Sequence, residues 1–224
     1  MSFFGNFGSK STFARTLSRG SGFIHSVLSF TRLEVPALEY FETAVAFAPE
    51  TDPITAHKEL AEVFGHKAGE GEFLFRADSS IAGRYWVHSA VPWARRPSSA
   101  VSALEPKRVV IQLAEGLMYR FTVQVCAGRA SLKGHEKVVE PYNSSDDVEA
   151  WLRANAPRYG FTPLMLDVSM RALRFGHGDR RVRIDYAQIE GALEVAEPEQ
   201  FKQRLVQGFG HHRRAGLGLM QLVA

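Results

Sequence analysis

Residues 119–125 read Tyr-Arg-Phe-Thr-Val-Gln-Val, and residues 144–152 read Ser-Ser-Asp-Asp-Val-Glu-Ala-Trp-Leu. In the first stretch Tyr119, Phe121, Val123 and Val125 alternate with Arg120, Thr122 and Gln124. A period of two is that of a strand with one buried face. In the second, Ser144-Ser145-Asp146-Asp147 starts a helix, Val148, Trp151 and Leu152 share one face, and Pro157 ends it. Two long strands are expected next, Leu164 to Phe175 and Arg183 to Val195, around a turn at Gly176-His177-Gly178-Asp179. The alternation slips between Tyr186 and Ile189, which predicts a bulge. Pro198 opens a last helix with Phe201 and Leu205 inward, and Leu217 to Val223 closes as a strand. The order is β-α-β-β-α-β, a ferredoxin-like unit.

Working back toward the N-terminus, the same order is read a second time. Phe41 to Phe47 is a strand. Asp52 caps a helix with Pro53 at its first position and an expected apolar stripe of Ile54, Ala61 and Phe64, ended by Gly65. Phe73 to Phe75 and Arg84 to Val91 read as strands, Ser98 to Leu104 as a weak helix, and Arg108 to Leu113 as a strand. The expected fold class is therefore α+β, two tandem ferredoxin-like domains, over residues 40–115 and 116–224. Residues 1–39 form a basic N-terminal extension. Residues 1–33 hold Lys10, Arg15, Arg19 and Arg32 and no acid, among many Ser, Phe and Gly. That composition is like a transit peptide; it also reads as a basic arm.

Composition narrows the function classes. The chain has 224 residues, 45% hydrophobic and 23% charged, as expected of one large or two small globular domains. No run approaches the roughly 18 apolar residues that span a bilayer. The one cysteine, Cys126, excludes an internal disulfide framework and a cysteine-based zinc site, and points to the cytosol. Residues 1–170 balance, with 18 Lys and Arg against 18 Asp and Glu, whereas residues 171–224 hold nine against six. Arg171, Arg174, Arg180, Arg181 and Arg183 fall within thirteen residues. A basic cluster on a neutral body suggests one polyanion-binding surface; a solvated hairpin is the competing reading.

The segment Gly208-Phe209-Gly210-His211-His212-Arg213-Arg214-Ala215-Gly216-Leu217-Gly218 has the glycines of a phosphate loop. A dinucleotide or ATP loop follows a strand and opens a helix, and here a helix precedes and a strand follows, so no such cofactor is expected. Glycine lets backbone approach a phosphate and Arg213 and Arg214 pair with one; a helix cap followed by a tight turn is the alternative. His57 stands at the edge of the first helix's stripe, as a structural histidine or as an acid–base group. His211 and His212 are adjacent and lack a third ligand at helical spacing, so no metal site is expected. There is no nucleophile elbow, HExxH or CxxC.

The ordered set Glu72-Phe73-Leu74-Phe75-Arg76, Leu117 to Val123, Glu149-Ala150-Trp151-Leu152, Ile189-Glu190-Gly191-Ala192-Leu193-Glu194-Val195, and the glycine loop running to Leu219-Met220 resembles a known family. It looks like the repeat-cleaving endoribonuclease (CasE) of the type I-E CRISPR Cascade complex, of the RAMP superfamily, over roughly residues 40–224. The resemblance implies binding of the stem-loop of a CRISPR repeat in precursor RNA and metal-independent cleavage at its base. The 2′-hydroxyl attacks the adjacent phosphate and leaves a cyclic phosphate. It also implies retention of the crRNA as an effector-complex subunit in a prokaryotic cytoplasm, with no cofactor and no membrane partner. On this resemblance His57 is the catalytic histidine. RNA binding falls to Arg171, Arg174, His177, Arg180, Arg181 and Arg183 on the hairpin, and to Gly208, Gly210, His211, His212, Arg213 and Arg214 on the glycine loop. The family often has a tyrosine three residues before the histidine; Ile54 stands there. This departure supports a second expectation, a catalytically inactive crRNA stem-loop-binding subunit.

Overall fold

The computed structural model describes residues 36–64, 73–93, 95–133, 136–177 and 180–223. The elements are β1 (Ala37–Ala46), α1 (Pro53–Phe64), β2 (Phe73–Ala77), β3 (Arg84–Ser89), β4 (Ser102–Ala103), β5 (Lys107–Gln112), β6 (Met118–Val125), β7 (Gly128–Lys133), β8 (Glu136–Pro141), α2 (Ser145–Asn155), β9 (Phe161–His177), β10 (Arg180–Val195), α3 (Pro198–Gln207) and β11 (Met220–Val223). The expected Gly65 helix stop, the Gly178-Asp179 tip of the hairpin and most of the basic extension lie outside the described residues.

Two antiparallel sheets form. In the second the order is β11-β6-β10-β9, and in the first β2-β3-β1 with β4 and β5 both pairing the far side of β1. Taking β5 as the closing strand, each sheet follows the 4-1-3-2 order of a ferredoxin-like unit, so the chain is a tandem pair of them. Among the described residues the first has no second helix. Residues 98–104, expected to be a weak helix, form a turn and then β4, flanked by Val101 and Leu104 whose amides bond the Ala46 and Ala44 carbonyls of β1. The paired β7–β8 hairpin was not legible as strands in the sequence; it forms a separate two-stranded sheet between β6 and α2.

The helix starts follow from their caps. Asp52 Oδ1 accepts from the amides of Ile54 at 2.9 Å and Thr55 at 3.1 Å, satisfying two donors of α1. Ser144 does the same for Asp147 at the start of α2. The buried stripe of α1 is Pro53, Ala56 and Leu60 rather than Ile54, Ala61 and Phe64. The helix is rotated so that Leu60 enters the core of Val45, Phe75, Tyr85 and Val87, and Ile54 is left to pack elsewhere. The second core lies under α2 and α3, with Phe121, Val123, Ile189, Leu193 and Phe201 at its centre.

The slip near Tyr186 is not a bulge. The β9–β10 register runs unbroken from Arg180↔His177 to Ala192↔Met165, and the irregularity falls between Ala192 and Leu193. What changes at Tyr186 is the covering partner. Ala187 and Ile189 face the helices, whereas Val182, Ile184 and Tyr186 face the other way, against Cys126, Ala215, Leu217 and Ile54.

Candidate functional site

The glycine segment is built into the second sheet by its own backbone. Phe209 N–H donates to Gly218 O at 2.9 Å, Gly218 N–H to Gln124 O at 2.6 Å and His211 N–H to Cys126 O at 3.0 Å. Phe209 is buried against Tyr159 and Phe161. The requirement for glycine is met by the protein and not by an open phosphate cradle. A Cβ on Gly208 would lie 2.9 Å from Leu74 Cδ2, and one on Gly210 would lie 2.4 Å from Val125 Cγ2. The loop then makes a 3-10 turn over Arg213–Ala215. His212, entering that turn, has φ +58° and is the one non-glycine left-handed residue among the described residues. That conformation costs an L-residue roughly 1–2 kcal/mol, so a side chain is held where backbone favours none.

This turn meets the first domain. Ala215 and Leu217 are buried beside Cys126 and Ile184, and Ile54 of α1 packs on the same cluster. Gly216 lies against the Phe75 ring. One helical turn beyond Ile54, the His57 ring tilts over Phe73 and Phe75, with centroids at 5.3 and 5.8 Å. Burial pushes its pKa below the ordinary histidine value, and the Arg214 guanidinium pushes it the same way. His57 and Arg214, 157 residues apart in sequence, are thus brought together, the imidazole beside a fixed cation. His212 also has its pKa lowered by burial.

The predicted hairpin arginines are divided by the strand pleat. Register places Arg171 directly across from Tyr186, on the face that meets the glycine loop, and Arg180 further out on that face. Arg174 and Arg183 are direct cross-strand partners on the opposite face, where Arg183 also holds Asp185 at 2.8 Å. Arg181 shares that face. All five arginines are exposed. The His177 backbone pairs with Arg180; nothing is described of its side chain. Tyr186 was missed in the sequence reading. Its phenol is raised by burial and moderated by Arg171, and the slip in alternation was the signal that marked it.

This architecture defines a tandem ferredoxin-like protein in which a histidine-bearing helix meets a glycine loop, beside a two-stranded ribbon with exposed arginines on both faces. A family model described as CRISPR associated protein matches residues 38–223, and the chain belongs to that family. Three solved structures have the fold. Thermus thermophilus Cse3, bound to an RNA representing a pre-cleavage complex, matches with a TM-score of 0.66 at 18% identity, covering 83% of this chain and 100% of that one. Cas6e from Escherichia coli K-12 matches with a TM-score of 0.63 at 19% identity, covering 83% and 98%. A chain of a CRISPR RNA-guided surveillance complex matches with a TM-score of 0.63 at 16% identity, covering 81% and 98%. No curated protein sequence matches the chain. Among the described residues no helix is long and apolar enough to cross a membrane.

Proposed function

We propose that this protein is a CRISPR endoribonuclease that cuts precursor RNA at the base of the repeat stem-loop, without a metal, and keeps the mature crRNA as a subunit of a Cascade-type effector complex in a prokaryotic cytoplasm. The observation that carries the reading is the half-buried His57 set beside Arg214 of the glycine loop. In the reaction the 2′-oxygen forms a bond to the adjacent phosphorus and the bond from phosphorus to the 5′-oxygen breaks. The neutral His57 ring takes the 2′-hydroxyl proton and later returns it to solvent; the leaving oxygen takes a proton from water and departs as a 5′-hydroxyl. Arg214 and Arg213 offset the charge gathering on the phosphorane. Gly208 and Gly210 shape the loop that presents His211, His212 and these arginines to RNA. The domain division at residues 115 and 116 goes with this reading, each half supplying one side of the site.

Arg171, Arg174, Arg180, Arg181 and Arg183, with His177 near the tip, would hold the stem. Two arginines placed directly opposite on a ladder repel one another, as Arg174 and Arg183 do, and a phosphate between them removes that cost. Recognition by shape and backbone suits A-form RNA, whose major groove is closed to most side chains.

Ile54 favours a second reading, an inactive crRNA-capping subunit. Its side chain is engaged in packing with Ala215 and Leu217 and carries no hydroxyl to aid the 2′-oxygen. End-labelled repeat stem-loop RNA incubated in EDTA with the wild type and with His57→Ala separates the two. Cleavage in EDTA that falls about a hundredfold or more in the variant is expected, because acid–base groups supply roughly 10²–10⁴. Tight binding with no cut by the wild type would establish the capping role instead.

A further inference from the structure

Behind the glycine loop, on the outer face of α3, Gln200, Gln203, Arg204 and Gln207 line up at helical spacing and meet Arg158 and Tyr159 around an open pocket. Among the described residues no carboxylate lines it. The Arg204 guanidinium lies over the Tyr159 ring at 4.3 Å and the Phe209 ring at 5.2 Å, and Arg158 approaches Tyr159 from 5.6 Å. A third guanidinium arrives from the loop, because Arg213 Nη1 donates to the Gln207 carbonyl. Burial pushes the Arg204 pKa down; Tyr159 works against this, and Arg213 and Arg158 add to it, so three guanidiniums meet at this end of α3.

One donor is left over. Arg204 Nε is buried and has no hydrogen-bond partner among the described residues. A buried charged donor without an acceptor costs free energy that an incoming acceptor recovers. Stacking alone explains why Arg204 covers Tyr159. It does not explain the unpaired Nε, nor why Arg158 and three amide side chains gather where no acid answers them. Planar guanidiniums with amide donors suit a tetrahedral oxyanion.

We infer that this pocket is a phosphate site that holds a backbone phosphodiester of the RNA strand running from the glycine loop over the end of α3. The inference rests on the RNA-binding reading above and adds a contact outside both the ribbon and His57. Arg213 links the two regions, with one end on the loop and its head at the last turn of α3. Free phosphate would use the same donors.

Two variants of the full chain test this. Arg158→Gln alters an exposed residue, and Arg204→Lys keeps the charge while removing the planar fork and Nε. Binding of a labelled repeat stem-loop with its single-stranded flanks is measured by anisotropy over a salt series. Melting is followed in inorganic phosphate against chloride at matched ionic strength. Each variant is expected to weaken RNA binding about tenfold, the worth of one charge-assisted hydrogen bond. For Arg158→Gln the slope of log affinity against log salt should fall by about 0.7–0.9, one phosphate's share. Cleavage within the saturated complex should stay within about threefold, since the site only binds. Phosphate should raise the melting temperature of the wild type more than that of either variant. Wild-type RNA affinity and slope in both variants, with phosphate protection reduced, would reduce the site to one for free phosphate and overturn the RNA contact. No phosphate protection and unchanged RNA binding would overturn the site altogether. A wild type that fails to bind the stem-loop would overturn the RNA contact together with the RNA-binding reading, and the phosphate melts would then decide the pocket alone.

Discussion

At His57 burial and the Arg214 charge penalise the same form, the imidazolium. The folded pKa lies below the unfolded one, so the unfolded chain binds more protons as the solution is acidified. The stability that His57 contributes is present above its ordinary value of 6.5 and is lost as pH falls through the folded pKa; His212, also lowered by burial, adds the same sign. Urea midpoints are expected to fall from pH 7 toward pH 5, less steeply in His57→Ala. A steeper fall in the variant would contradict the shift. The same depression keeps the base form available, so single-turnover cleavage should level off below pH 6.5 rather than above it. His212 makes a separate case, because its left-handed backbone is strained only for a residue with a Cβ. His212→Gly is expected to leave stability unchanged or raise it by up to about 1 kcal/mol while RNA binding weakens. A clear loss of stability would show that the ring is held there for packing.

The ribbon of β9 and β10 is the element in which charge and packing conflict. Arg174 faces Arg183 directly, and like charges so placed are destabilising, a cost that the Arg183–Asp185 pair reduces. Arg174→Gln should therefore raise the denaturation midpoint slightly and weaken stem-loop binding, most strongly at low salt. Equal affinity for the variant would free this face of the ribbon from RNA. The long strands and the arginines were legible because alternation and charge are local in sequence. Where Tyr186 points was not. The sequence shows only that the buried face changes, and a bulge and a change of covering partner leave the same trace. Residues 98–104 misled for a related reason: Val101 and Leu104 are exposed, and β4 exists because β1 offers it backbone partners. The α1 stripe was off because Ile54 is apolar for the sake of the other domain.

Across the whole molecule the two halves are not separable by their cores. Leu38 of β1 and Leu113 just after β5 belong to the cluster under α2 and α3, together with half-buried Tyr40 and Ile111. Arg76 of β2 hydrogen-bonds Gln221 of β11, and the glycine loop is clamped between β6 and the first sheet. Repetition of one topology was readable along the chain; this sharing was not, because nothing in the spacing of Leu38 says which core it enters. The site spans the same seam, since His57 comes from one half and Arg214 from the other. Packing across the seam should therefore make unfolding cooperative over residues 34–224, which form one compact unit. Leu38→Ala removes a buried side chain of the first strand from the second core, a change that typically costs about 2–5 kcal/mol. If the halves unfold together, hydrogen exchange in β3 and in β10 should accelerate by the same factor in this variant. Faster exchange in β10 alone, with β3 unchanged, would mean that the first sheet stands by itself and that the geometry between His57 and Arg214 can be lost by opening of the second half alone.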